Sequence, residues 1–289
     1  MSDGHDPIDS GAIAPVDMDA LWAKVRRSSF YAAMRAMPER ERQAMFAIYA
    51  FCRAVDDIAD DQQGDRAART AALSAWRRDL DSLYAGRDPG QASFLALPVR
   101  GFGLERDDFE AVIDGMQMDV DGDIVAPDQA TLDLYCDRVA SAVGRLSVKV
   151  FGMERQPGID LAHHLGRALQ LTNILRDLDE DAGIGRLYVS SDALAIAQLP
   201  LSDPATVVAD PRIDMAARQI ACDAKRHYEA ADRVMRTAKG KLKAPRLMGA
   251  AYGRILKHML EEGWRPPRRR VSLSKGEKLW VLARYGLTP

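Results

Sequence analysis

A chain of 289 residues, 47% hydrophobic and 28% charged with a net charge of -2, has the composition of an ordinary globular protein and room for a substantial core. That balance speaks against nucleic acid as a partner. The first eighteen residues hold neither a basic start with an apolar run nor an apolar span of membrane length, and Cys52, Cys136 and Cys222 lie in helical patterns without metal-ligand spacing. These features fit a disordered leader over residues 1–18 on a cytoplasmic protein with reduced thiols.

Strand signals are nearly absent, while Ala, Leu, Met and Arg recur at helical spacing, so the fold expected over residues 19–289 is a single all-α domain. Asp17 or Asp19 can cap a first helix through about Met37. Pro38-Glu39 opens a second, with Met45, Ile48, Tyr49, Cys52 and Val55 on its apolar face. Asp65 begins a third, through about Tyr84. Pro and Gly break the region from Gly86 to Pro98, and a helix from about Glu105 to Val120 follows. Pro127 at a first-turn position predicts a long helix through Phe151, in which Ser141-Ala142-Val143-Gly144 permits a kink or the close approach of a ligand. Gly158 leads into the next helix. The turn-rich segment from Gly183 to Ala209 reads as a mobile flap, and helices from about Asp210 to Ala238, Pro245 to Glu262 and Ser274 to Tyr285 complete the chain.

Two of these helices end in acidic clusters, Asp56-Asp57-Ile58-Ala59-Asp60-Asp61 and Asn173-Ile174-Leu175-Arg176-Asp177-Leu178-Asp179-Glu180-Asp181. Residues four apart share a helix face, so Asp56 projects with Asp60, and Asp177 with Asp181, with Asn173 one turn earlier. Each like-charged pair costs a helix roughly 0.2–0.5 kcal/mol, and a helix C-terminus already carries negative dipole charge. A solvated acidic end accounts for one such cluster. Two, each with an arginine (Arg53, Arg176) within a turn, ask for a cation. Carboxylate and amide oxygens are hard ligands suited to Mg²⁺, which completes its shell with waters and substrate phosphates. The pattern therefore points to a diphosphate.

Other charged groups read as ordinary. His163 and His164 are adjacent, so they should point in different directions, and surface or core placement is expected of them rather than metal ligation. The basic turn Arg265-Pro266-Pro267-Arg268-Arg269-Arg270 reads as a solvated loop, a diphosphate contact or an attraction to anionic lipid.

The runs Tyr49-Ala50-Phe51-Cys52-Arg53-Ala54-Val55-Asp56-Asp57-Ile58-Ala59-Asp60 and Leu169-Gln170-Leu171-Thr172-Asn173-Ile174-Leu175-Arg176-Asp177 resemble the squalene and phytoene synthase family, over nearly the whole chain. Within it, Gly115-Met116-Gln117-Met118-Asp119, the run from Leu134 to Val148, and Lys278-Leu279-Trp280 are similar to the branch that joins two farnesyl diphosphates into presqualene diphosphate. The resemblance implies an all-α isoprenoid-synthase fold around a central cavity. It implies Mg²⁺ held by Asp56 and Asp60 on one helix and by Asn173, Asp177 and Asp181 on another, with Arg53 and Arg176 on the diphosphate. A salt bridge to the neighbouring Asp is the plainer reading of each arginine. Ser29, Phe30, Tyr49, Tyr135, Val139 and Gln170 match cavity positions, Tyr135 near the reacting carbons, and Arg186 and Tyr188 would help close the flap. Core packing is the commoner explanation for any one aromatic. The implied reaction is head-to-head condensation of two farnesyl diphosphates, with transient contact between protein and membrane surface. Phytoene synthase acting on geranylgeranyl diphosphate, squalene synthase using NADPH, and a non-catalytic assembly protein are the rivals.

Overall fold

The computed structural model describes residue 23 and residues 31–35, 37–60 and 64–286. Ser29, Phe30 and the leader lie outside the described residues, as do the side chains of Ala32, Ala33 and Asp60. Among the described residues no strand forms, and one isolated bridge pairs Val125 with Leu187.

Pro38 separates α1 (Tyr31–Arg35) from α2 (Glu39–Asp60). The carboxylate of Asp65 accepts from the Ala68 amide and so caps α3 (Arg66–Tyr84), as the sequence predicts. The broken region folds into a tight turn of helix at Gly90–Leu95 and α4 (Ala96–Phe102), before α5 (Arg106–Asp121). Asp128, not Pro127, sets the start of α6 (Gln129–Cys136). Its carboxylate accepts from the Thr131 amide and leaves the proline outside the helix. A widened turn at Asp137–Ser141, closed by the Ala142 amide on the Asp137 carbonyl, joins α6 to α7 (Ala142–Val150).

α8 (Arg155–Arg176) is the axis of the molecule, packed against α7, α12 (Ile213–Thr237) and α13 (Lys243–Glu262). Small residues set its distance from α7. A Cβ on Gly144 would stand 2.9 Å from the Ala162 Cα, and one on Gly166 would stand 2.8 Å from the Ser141 backbone. The small residues of the α7 region therefore admit a neighbouring helix, and the widened turn supplies the bend just before them.

Between α8 and α12 lie α9 (Leu178–Gly183), α10 (Ser191–Ile196) and α11 (Pro204–Ala209). This segment, expected to be a mobile flap, is packed: Val189, Leu194 and Val207 are buried in an apolar cluster with Leu175, Ile220 and Trp264. A second cluster, under α2, α3 and α5, is built on Phe51, whose ring meets Trp76 and Phe109 edge to face at 5.4 and 5.0 Å. Ser274 and Glu277 form a capping box that opens α14 (Lys275–Val281), and a widened turn at Leu282–Gly286 follows.

Candidate active site

The middle of α2 and the middle and C-terminal part of α8 face each other across an apolar cavity. It holds about 1030 Å³ of empty space counted out through its open mouth. Met45, Ile48, Tyr49 and Cys52 of α2, Val139 of the widened turn, Val143 of α7, Leu165 and Leu169 of α8 and Met248 of α13 line it. Polar atoms enter mainly from Ser147, Gln170 and Asn173. Tyr49, Val139 and Gln170, cavity positions by the resemblance, line it, and so does Asn173, which the resemblance gives as a metal ligand.

Both acidic clusters close on arginine. Arg53 reaches Asp56 at 2.7 Å and Asp57 at 2.9 Å. Arg176 grips Asp177 with two parallel bonds, Nε to Oδ1 at 2.8 Å and the terminal nitrogen to Oδ2 at 2.6 Å. The salt-bridge reading of both arginines is therefore the geometry found. The basic turn joins in. Arg270 bonds Asp177 at 2.8 Å and Glu180 at 3.2 Å, while Arg268 bonds Asp179 at 2.5 Å and the carbonyls of Trp264 and Val208. That turn is tied down by the Trp264 indole, which donates to the Leu175 carbonyl at 2.9 Å. Burial pushes the Asp177 carboxyl up, but Arg176 and Arg270 outweigh it and hold it below the usual carboxylate range.

The second cluster is not one unbroken helix. The backbone turns at Asp177 (φ -104°, ψ 16°), between α8 and α9, yet the Asp181 amide still donates to the Asp177 carbonyl at 2.8 Å, so the helical hydrogen bonding crosses the break. Arg186, buried, crosses to the other motif and donates to the Ala59 carbonyl at 3.1 Å. It fixes the C-terminal end of α2 against the segment that follows the second cluster.

Tyr135 does not line the cavity. Its ring stacks on Tyr188 at 4.8 Å, and both hydroxyls donate to Asp119, Tyr135 at 3.1 Å and Tyr188 at 2.8 Å, in a fully buried group. Burial first, then the charge of Asp119, raises both phenols well above their ordinary range, and Asp56 adds to the effect on Tyr135. Sequence reasoning placed Asp119 only in a family-like run. Its signal was an acid at helical spacing from the apolar positions Val112 and Met116 of α5, a face that also buries Asp108. The sequence also missed a third group, in which His227 of α12 meets His163 and His164.

The residues fit a magnesium ion. The Asn173 side-chain oxygen is buried on the cavity wall without a hydrogen-bond partner in the structure, and carboxylates follow one turn beyond it at Asp177 and one turn beyond Cys52 at Asp56, a hard oxygen set.

An all-α bundle of this kind, with a cavity between acidic helices, is the isoprenoid-synthase fold. It superposes on a dehydrosqualene synthase crystallised with ligand at a TM-score of 0.79, with 24% identity, over 93% of this chain and 95% of that one. The squalene/phytoene synthase family profile matches residues 23–277, and the chain belongs to that family. It is 56% identical over 273 residues to the presqualene diphosphate synthase of Zymomonas mobilis subsp. mobilis, covering 94% of each chain. It is 31% identical to the phytoene synthase of Rhodobacter capsulatus, over 96% of this chain and 83% of that one.

Proposed function

We propose that the protein joins two molecules of farnesyl diphosphate head to head into presqualene diphosphate, with release of one diphosphate. The observation that carries this reading is an apolar chamber with the Asn173 oxygen on its wall and an acidic motif one turn beyond it on each of α2 and α8, together with 56% identity to a presqualene diphosphate synthase.

The residues that would hold Mg²⁺ are Asp56 and Asp60 at the end of α2, and Asn173, Asp177 and Asp181 at the end of α8. Bound there, Mg²⁺ neutralises the diphosphate as it leaves. Arg53 and Arg176 are the guanidiniums nearest to those acids and suit bidentate phosphate contact. Arg268 and Arg270 hold the second motif in place from the far side. As the allylic C–O bond breaks, the aliphatic wall of α2 and α7 keeps water from the cation, and the face of Tyr49 contributes ~0.5–2 kcal/mol of stabilisation. The second substrate's C2–C3 double bond attacks C1, and loss of a proton closes the cyclopropane. Tyr135 and Tyr188, kept protonated by burial, are held by Asp119 outside the cavity lining, so their role is to position neighbouring groups rather than to touch the reacting carbons.

No described helix is long and apolar enough to cross a membrane. Access to water-insoluble substrates is instead proposed at the cytoplasmic membrane surface. α14 turns Lys275, Lys278, Leu279 and Trp280 outward, and the widened turn after it Leu282, with Leu279 66% and Trp280 50% exposed. Its inner face, Val281 and Tyr285, packs on Leu247 and Met248 of α13, and Met248 is part of the cavity wall.

The test is incubation of the purified protein with Mg²⁺ and farnesyl diphosphate, with and without NADPH, and mass analysis of the products. A C30 monodiphosphate under both conditions is expected. Squalene formed only with NADPH would make it a squalene synthase. Inactivity with this substrate together with C40 phytoene from geranylgeranyl diphosphate would make it a phytoene synthase.

A further inference from the structure

α8 carries catalytic candidates on one face only. Gly166, Leu169, Gln170 and Asn173 line the cavity, whereas Arg167 bonds Asp133 of α6, and His163 and His164 bring their rings to that of His227 on α12. There His164 and His227 bring their Nδ1 atoms to 3.0 Å, and one ligand atom from each of His163, His164 and His227 lies within 4.8 Å of the other two. His163 stands at the surface, and the other two are half-buried.

We infer that His163, His164 and His227 form a binding site for a Zn²⁺-class divalent metal, separate from the magnesium-type oxygen set. Two imidazole nitrogens on one tetrahedral zinc, each ~2.0–2.1 Å from the ion, stand about 3.3–3.4 Å apart. The His164–His227 pair is already within a few tenths of an ångström of that spacing. The third ring closes the set with a small side-chain rotation, which leaves the fourth position for water, as three-ligand zinc sites do.

The surroundings favour imidazole as the whole protein ligand set. Nearby carboxylates are already engaged: the buried Arg167 bonds Asp133 through Nε at 2.7 Å and a terminal nitrogen at 2.9 Å, and Asp137 at 3.2 Å, while Asp160, one turn before His164, accepts from the Gln156 amide at 2.8 Å. With oxygen ligands occupied, an all-nitrogen site selects Zn²⁺, Ni²⁺ or Cu²⁺ over Mg²⁺. Burial also keeps the three rings neutral at neutral pH, the form that ligates. His227 faces a polar pocket bordered by Asp133, Asp223, Gln219 and Arg226, a route from solvent to the ion. A metal here ties α8 to α12, the two most extensively packed helices of the fold, nine or more residues upstream of Asn173.

The test uses tag-free full-length protein, stripped with chelator and held in excess Mg²⁺ so that the oxygen-rich set is saturated. Zn²⁺ is then titrated and followed by calorimetry and melting temperature, and Co²⁺ is used for its visible absorption. Wild type should take up one Zn²⁺, melt higher, and give the absorption of low-coordinate Co²⁺. H164Q and H227Q should each weaken Zn²⁺ at least ~10-fold, since even groups that only support a ligand contribute 10–100-fold, and should abolish the rise in melting temperature. D177N should leave Zn²⁺ affinity unchanged. Should H227Q fail to fold, H163Q carries the same comparison at a surface position. A wild type that takes up no Zn²⁺, or histidine variants that bind it as tightly as wild type, overturns the assignment.

Discussion

Asp56 and Asp177 occupy matching places in the two acidic motifs, yet their partners differ in a way that separates binding from stability. Arg53, 36% exposed, divides itself between Asp56 and Asp57, so Asp56→Asn should cost under ~1 kcal/mol. Arg176 is 14% exposed and spends two bonds on Asp177, which also holds Arg270. Asp177→Asn relieves local repulsion, as the sequence suggests, but leaves a buried guanidinium short of its counter-charge, so it should cost on the order of 1–3 kcal/mol. Both variants should lose turnover by roughly 10²-fold or more. Urea unfolding beside steady-state rates checks the contrast, and equal stability losses would show that the arginine pairs are not what distinguishes the sites. A further residue-scale prediction concerns pH. Burial, with help from His164, His163 and Arg167, holds the His227 pKa at about 4 against an ordinary value of 6.5. Below pH 6.5 the unfolded chain binds this proton and the folded chain does not, so stability falls as pH drops from 6.5 toward 4 and is unaffected above that window. In chelator, the loss of urea resistance between pH 7 and pH 5 should be smaller in H227Q than in wild type, and an identical loss would show that His227 is not its source.

At the scale of the helix, the contact between α7 and α8 depends on absent side chains. Gly166→Ala would place a Cβ against the backbone of Ser141 at 2.8 Å, where no flexible side chain can give way, so a cost of ~1–3 kcal/mol is expected. Because the Asn173 end of α8 moves with it, catalytic rate should fall as well. A variant as stable as wild type would mean that the two helices separate without penalty. Much at this scale was legible in advance. Asp65, Pro38 and the apolar period of α2 set their helices through local chemistry, and so the elements followed. Asp128 was missed because an Asx cap and a first-turn proline compete for the same start, and the sequence ranks them poorly. The segment from Gly183 to Ala209 was misread because its turn residues are visible locally, while the burial of Val189 and Leu194 depends on α12 arriving from elsewhere. At the cavity, Tyr49 was legible on the apolar face of α2, and Val139 and Gln170 through the family resemblance. The Asp119 cluster and the histidine group were not, because their members come from helices far apart in the chain.

Across the whole molecule, charge is uneven. Residues 265–289 carry seven arginines and lysines and one glutamate within a chain of net charge -2. Two of those arginines, Arg268 and Arg270, are engaged by the second acidic motif, whereas Arg269, Lys275 and Lys278 are exposed beside Leu279, Trp280 and Leu282. A basic helix with an outward Trp and Leu suits the interface of an anionic bilayer, at ~1 kcal/mol per basic residue near the surface. The protein should sediment with vesicles containing anionic lipid and remain in solution with neutral ones. Leu279→Ser with Trp280→Ser should abolish sedimentation without changing turnover of detergent-dispersed substrate. Unaltered sedimentation would place the contact elsewhere. The central claim is that the ends of α2 and α8 act as one centre for metal and diphosphate. Its most direct test is a crystal structure with Mn²⁺ and an unreactive farnesyl thiodiphosphate, with the metal located by anomalous scattering. Mn²⁺ is expected between the two acidic motifs, with Asn173 and Asp177 among its ligands and the isoprenoid chain along Tyr49 and Leu165. Metal and diphosphate bound away from those motifs would contradict the claim.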